Sequence, residues 1–339
     1  MLLKQLSEAS GVSGNEGEVR DLIRAELQGK VTDVFTDTTG NLIARKGSGR
    51  PVVMLAAHMD EIGLLVNQIE KSGLIRFVKV GGIDDRVLPS KTVLVGKDKV
   101  PGVIGSKAIH LQEPKERETP FKWDQLYIDI GAKSKEEAEK RVKVGDYASF
   151  NTSFAEFGDG CCKGKAMDDR AGCQVLLDVL RENYPFTLYG AFTVQEEVGL
   201  RGAGVAAYRL EPDLALVLEG TICADIPGAD PEYHATTLGG GPVISLMDAG
   251  TIHSRKIIDL LVQTAKRKQI PYQFRRAASG GNDAGRIHLT KAGVPSGAVS
   301  VPCRYIHSPV SVVKASDLAN ATKLVVAFLK AVAEGGFKG

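Results

Sequence analysis

The chain has 339 residues, 43% of them apolar and 25% charged, which fits a globular protein of one large or two modest domains and excludes a disordered or fibrous one. Its net charge of +2, from 43 basic and 41 acidic residues, implies a mixed surface. Neither nucleic acid nor an anionic membrane is expected as a partner.

The opening residues, MLLKQLSEAS, carry Lys4 and Glu8 where a secretory signal needs an apolar core, so no signal peptide is expected. No run of 18 apolar residues follows, so no transmembrane helix is expected either. Five cysteines (Cys161, Cys162, Cys173, Cys223 and Cys303) fit no Cys-x-x-Cys spacing, which suits a reducing cytoplasm.

In chain order, Asn15 and Glu18 have capping-box spacing and announce a helix whose apolar face is Val19, Leu22, Ile23 and Leu27. Residues 52–57 form an unbroken apolar run, as in a strand buried on both faces. From about 63 to about 157 the texture changes to short β-like segments at 74–80, 92–95, 102–104, 126–130 and 147–150. Gly81-Gly82, Lys97-Asp98 and Pro101-Gly102 punctuate them. A short helix is expected at 134–142, where Ser134 and Glu137 again have capping-box spacing.

The α/β texture returns at Asp168 with an amphipathic segment through Val175, Leu176, Val179 and Leu180. Strands at 187–194 and 214–218, a helix at 254–268 and a strand at 296–301 follow. A last helix over 316–333 stops at Gly335-Gly336. The expected fold is α/β, with a mixed, mostly parallel sheet flanked by helices. Residues 1–62 and 158–339 would form its main domain, with a small β-rich domain, 63–157, inserted.

Five polar clusters sit beside apolar strand-like runs: His58-Met59-Asp60, Asp168-Asp169-Arg170, Glu196-Glu197, Glu219-Gly220 and His307-Ser308. Singly, each has a plain reading. His-x-Asp can be a hydrogen-bonded turn, paired aspartates can face a helix N-terminus, and Glu-Glu can be solvated surface. Three clusters, however, directly follow predicted strands, and open α/β sheets bind ligands beyond their carboxyl ends. Two imidazoles and several carboxylates without a thiolate suit zinc, cobalt or manganese. Asp60 is spaced to accept the second ring N–H of His58. Two adjacent acids ending a buried strand are explained if one binds a cation and the other holds a proton.

Taken in order, these clusters resemble the TET and glutamyl-aminopeptidase family of dinuclear metallo-aminopeptidases. The segments from Gly102 through Gly105 to His110, and Gly280-Gly281-Asn282-Asp283-Ala284-Gly285, are also similar to that family. The resemblance implies a dinuclear zinc-peptidase fold that hydrolyses N-terminal residues from peptides with a free N-terminus. Two divalent ions per subunit are implied, zinc or cobalt, with manganese as a further candidate. Asp168 would bridge them, His58 and Glu219 would complete one site, and Glu197 and His307 the other. Glu196 would be the general base and Asp60 the partner of His58. The inserted domain would be a dimerisation domain, with a homo-oligomer, a dodecamer built from dimers, as the implied assembly.

Glu219 stands where many members carry Asp, and Asn282 where Thr is common, so the reach of one ligand and the pocket both differ. His110 would lie near a subunit contact, whereas His234, His253 and His288 read as structural. Arg170 is expected to orient carboxylates, and Arg275, Arg276 or Arg255 near the pocket would favour Asp or Glu as first residue. A glycoside hydrolase of endoglucanase type, using paired carboxylates, is the alternative. It leaves His58 and His307 without a task.

Overall fold

The chain begins with α1 (Leu2–Glu8) and α2 (Gly17–Leu27), then lays down β1 (Asp33–Thr36), β2 (Leu42–Lys46) and β3 (Val52–His58). The computed structural model describes residues 2–337 apart from 231, 233 and 277. α1 has no counterpart in the sequence reading, yet it buries Leu3 and Leu6. α2 starts at Gly17 and no side chain caps it, so Asn15 does not play the expected role. Glu16 instead turns back to accept the N–H of Gly14 at 2.7 Å.

Six antiparallel strands follow: β4 (Gly63–Ile69), β5 (Ile75–Val80), β6 (Thr92–Val95), β7 (Val100–Gly105), β8 (Tyr127–Asp129) and β9 (Tyr147–Phe150). They close into a barrel in the order β4-β5-β8-β7-β6-β9, which leaves no free edge for another chain to pair with. Leu64, Phe77, Val93, Ile104, Ile128 and Phe150 fill it as a core of its own. α3 (Lys135–Glu139) is capped as expected, with Ser134 Oγ accepting from the N–H of Glu137 at 3.3 Å, but it is shorter than 134–142.

The remainder comprises β10 (Ala155–Phe157), β11 (Cys161–Gly164), α4 (Met167–Val179), β12 (Thr187–Thr193), α5 (Arg201–Leu210) and β13 (Leu214–Ile222). Then come β14 (Val243–Ile244), α6 (Arg255–Lys268), β15 (Gln273–Phe274), α7 (Ala284–Ile287), β16 (Ser296–Cys303), β17 (Ser311–Lys314) and α8 (Ala315–Ala331). The main sheet has the order β1-β2-β12-β3-β13-β16-β14-β15. Pairing is parallel through β12, β3, β13 and β16 and at the edge pair β14–β15. It is antiparallel between β1 and β2, β2 and β12, and β16 and β14. The sheet is therefore mixed, with parallel pairing concentrated at its centre.

Strand alternation decides which side chain meets which layer. Val53, Leu55 and Ala57 of β3 and Leu214, Leu216 and Leu218 of β13 join the larger core, with α1, α2, α4, α6 and α8. Met54, Ala56, Ala215 and Val217 face the smaller core against α5 and α7. Each fully buried large aliphatic side chain contributes about 1.5–3 kcal/mol, so both faces of the central strands are firmly held. The same period carries on past the apolar run: His58 lies two residues beyond Ala56, and Glu219 two beyond Val217. Val217 registers with Ala56, so His58, the last residue of β3, and Glu219, within β13, lie on the same face of neighbouring strands.

Candidate metal centre

The four central parallel strands each deliver a polar side chain to the carboxyl side of the sheet, three of them at or beyond the strand end and Glu219 three residues before the end of β13. β3 ends on His58, β12 leads into Glu196 and Glu197, β13 carries Glu219, and β16 leads through a turn to His307. Asp168 comes from the other side, at the N-terminal end of α4, where its φ of −87° and ψ of 107° depart from the helix. Close packing of α4 over β13 requires glycine at 220, because a Cβ there would lie 2.9 Å from the Cα of Asp168.

The structure brings the five predicted ligand residues into two triads that share Asp168. His58 Nε2 lies 3.3 Å from Asp168 Oδ1 and 3.1 Å from Glu219 Oε1. His307 Nε2 lies 3.5 Å from Asp168 Oδ2 and 3.3 Å from Glu197 Oε2. Within each triad the donor atoms are all within 4.8 Å of one another. The two oxygens of Asp168 thus face different imidazoles.

Asp60 is fully buried and ties the neighbouring loops together. Its carbonyl oxygen is 3.2 Å from His58 Nδ1, and its Oδ1 is 3.4 Å away, so the expected partnership with His58 is shared between main chain and carboxylate. Oδ1 also accepts the N–H of Glu196 at 3.0 Å, and Oδ2 the N–H of Glu197 at 3.1 Å. One carboxylate thus takes the N–H groups of both glutamates.

The charges are mutually frustrated. Burial raises Glu196 and Glu219 well above the usual carboxylate range, with neighbouring acids adding to the effect. Burial and Asp168 lift Glu197 to about 7. Hydrogen bonding to Asp168 outweighs burial and raises His307 to about 9. Burial opposes ionisation of Asp168, yet its hydrogen bonds with His307 and His58 hold it far below its ordinary value. Glu219 Oε2 is buried and makes no hydrogen bond. Oxygen and imidazole donors converging with one oxygen left over fit divalent cations of the zinc, cobalt or manganese type.

A cavity of about 300 Å³ opens onto the cluster, lined by Asp168, Glu196, Glu219, Asn282, His307 and Arg275 among others. Of the three arginines expected near the pocket, Arg275 is the one that lines it, and its Nε is buried without a partner. Arg255 pairs with Asp259 on α6, and Arg276 is exposed. Arg170 does not orient Asp168. It is fully buried and donates to the carbonyls of Met59, Leu6 and Ala9, and to Glu61 at 3.4 Å.

The sequence marked Asp169 and Asp283 within their clusters but gave them no role; Asp169 accepts the N–H of His58 at 3.1 Å, and Asp283 is raised by burial to about 6 beside Thr193. Ser13, which donates to Asp60, and Glu16, which accepts the N–H of Gln195, went unmarked. Backbone signals could not have revealed these two, whereas Gly280-Gly281-Asn282-Asp283 did mark the segment of Asp283. Elsewhere, His110 is exposed, His253 lies buried 3.5 Å from Asp248, and His288 Nδ1 is 2.7 Å from the carbonyl of Ala284. The five cysteines are free thiols.

The paired-acid alternative does not suit this geometry. Glycosidases flank the scissile bond with two carboxyl groups about 5–9.5 Å apart, whereas here the carboxylates crowd onto two imidazoles.

Comparison with known proteins gives a match of residues 40–324 to the M42 glutamyl aminopeptidase family. The lysyl aminopeptidase of Pyrococcus furiosus is 34% identical over 337 residues, which cover 97% of this chain and 96% of that one. A TET aminopeptidase from a marine-sediment Thaumarchaeota archaeon superposes with a TM-score of 0.95 at 39% identity, over 99% of this chain and 98% of that one. The Pyrococcus horikoshii TET1 peptidase, which can assemble into a tetrahedron or a large octahedral shell, gives a TM-score of 0.87 at 35% identity, over 96% and 97%.

Proposed function

The chain belongs to the M42 glutamyl aminopeptidase family, and we propose that it works with two divalent ions, one held by His58, Asp168 and Glu219 and the other by Asp168, Glu197 and His307. It is an aminopeptidase, a hydrolase of peptide bonds at amino termini. The observation that carries the two-ion reading is Asp168, whose oxygens face separate imidazoles at 3.3 and 3.5 Å. Zinc or cobalt suits the donor set, with manganese as a further candidate.

When bound, such a pair supplies Lewis acidity and a water of lowered pKa. The chain's own residues do the rest. Glu196 lines the cavity, takes the proton of the attacking water on its carboxylate and returns it to the leaving amine nitrogen. Asp60 holds that glutamate by its backbone N–H and keeps the His58 ring oriented. The carboxylates at the end of the cavity suit a free α-amine, which directs the reaction to amino termini. Arg275 on the cavity wall favours an anionic first residue.

The test is hydrolysis of aminoacyl anilides by metal-free protein before and after adding Co²⁺ or Zn²⁺. Activity is expected to return with metal, with Glu and Asp anilides leading the panel. Glu196→Gln should lower kcat by about 10²–10⁴-fold. Metal-filled protein inert on every anilide would overturn the reading. Supported by the shells that its relative can form, we also propose a homo-oligomer, a dodecamer built from dimers through the inserted domain of residues 63–157, whose strands β4 to β9 make the barrel. The cysteine pattern supports a cytoplasmic setting.

A further inference from the structure

Residues 6–16 touch the segments that bring His58, Asp168, Glu196 and Glu197 to the site. Against the loop after β3, Glu61 N–H donates to the Gly11 carbonyl at 3.0 Å and Gly11 N–H to Glu61 Oε1 at 2.9 Å. Against the start of α4 and the residues before it, Lys165 Nζ and Arg170 Nη1 both donate to the carbonyl of Ala9. Against the loop after β12, Glu16 Oε1 accepts the N–H of Gln195 at 3.3 Å. At the centre of this clasp, Ser13 Oγ donates to Asp60 Oδ2 at 2.6 Å.

We infer that Ser13 is a positioning residue for the metal centre, acting through Asp60 on His58, Glu196 and Glu197. Ser13 is 4% exposed and Asp60 0%, so no bulk water substitutes for the lost donor. Its main chain is fixed independently, with the N–H donating to the Glu61 carbonyl at 3.2 Å and Val12 bridged to Glu61. The hydroxyl therefore reaches Asp60 from a rigid support. Asp60 Oδ2 has two partners, Ser13 Oγ and the N–H of Glu197. Without the first, Oδ2 keeps only the N–H of Glu197, the carboxylate is held less tightly, and the turn of Glu196 and Glu197 loses part of its fixed support. A partner behind the ligands commonly costs 10–100-fold in metal affinity or activity when removed, as an order of magnitude.

The inference rests on the metal-site reading above, so its test separates the two. Metal affinity of wild type, Ser13→Ala and Ser13→Thr would be measured by competition with a chromophoric chelator. Thermal unfolding of the metal-free proteins and the kcat and KM of the loaded ones would accompany it. Ser13→Ala should bind Co²⁺ or Zn²⁺ about tenfold more weakly and lose kcat with KM unchanged. Its metal-free form should still unfold cooperatively, somewhat less stable for the lost buried hydrogen bond, and Ser13→Thr, which keeps the hydroxyl, should restore affinity. Wild-type affinity and kcat in Ser13→Ala would overturn the inference, and so would a loss that Ser13→Thr shares while the metal-free fold is intact. Wild-type protein that binds metal tightly but cleaves no anilide defeats the proposed activity and leaves the Ser13 comparison readable.

Discussion

Gly220 follows the ligand Glu219 directly, and its missing side chain is as much a part of the site as the carboxylate beside it. A methyl group there would come within 2.9 Å of Asp168 Cα, Cβ and Oδ1, a distance at which backbone must move. Gly220→Ala should therefore push Asp168 off both imidazoles. The expected result is at least a tenfold loss of metal affinity by chelator competition, of the size seen when ligand geometry is disturbed, with little change in secondary structure. Unchanged affinity would mean that Asp168 is not held where the packing puts it. At this scale the sequence was most legible where side-chain chemistry is unusual. His58, Glu196, Glu197, Glu219 and His307 stood out because imidazoles and acids broke apolar runs. Ser13 did not stand out, since one serine among polar neighbours gives no pattern and its partner is 47 residues away.

Among the elements, the loop after β3 is anchored by a buried charge cluster that no local pattern announced. Lys165 Nζ donates to both oxygens of Glu61, at 2.7 and 2.8 Å, and Arg170 Nη2 approaches the same carboxylate at 3.4 Å. Arg170 was expected to orient carboxylates, and the one it approaches is Glu61, because its fully buried guanidinium finds there, and in three carbonyls, the acceptors it needs. Removing one member leaves the others desolvated, so Lys165→Met should destabilise by about 3–5 kcal/mol in denaturant unfolding. The pH dependence has a definite sign. Burial lowers Lys165 from 10.5 to about 8, so the unfolded chain binds more protons between those values. Wild-type stability should then rise with pH across that window relative to Lys165→Met, which lacks the titrating group. A flat difference between the two would remove the claim that Lys165 is depressed by burial. Periodicity gave the starts of the central strands and of α6 to within a residue, because the strands run between apolar layers and α6 has one clear apolar face, but it ended β13 at 218 where the strand continues to Ile222. It missed α1 and β4, and it assigned a cap to Asn15 that Glu16 pre-empts by bonding Gly14.

For the molecule as a whole, the candidate ligands run from residue 58 to 307 and join loops from β3, α4, β12, β13 and β16. Cations bound there would cross-link the carboxyl ends of all four central strands, whereas the barrel has a separate core and donates none of those ligands. Metal binding to the folded state alone stabilises by about 2.7 kcal/mol when free metal is 100 times its Kd, and that gain should be felt where the loops converge. Hydrogen exchange with and without metal separates the two regions. Removing the ions should speed exchange of the amides in 58–61, 166–170, 195–200 and 304–308, while the strands of the barrel, whose opening depends on their own packing, keep their rates. Barrel amides that speed up equally would show one cooperative unit in place of two. Ligand loops that do not respond would show that the hydrogen-bonded clasp of residues 6–16 already holds the centre in its binding geometry. In that case the mutual repulsion of Asp168, Glu196, Glu197 and Glu219 is borne by the protein scaffold, and Lys165→Met, which loosens that scaffold, should restore the response.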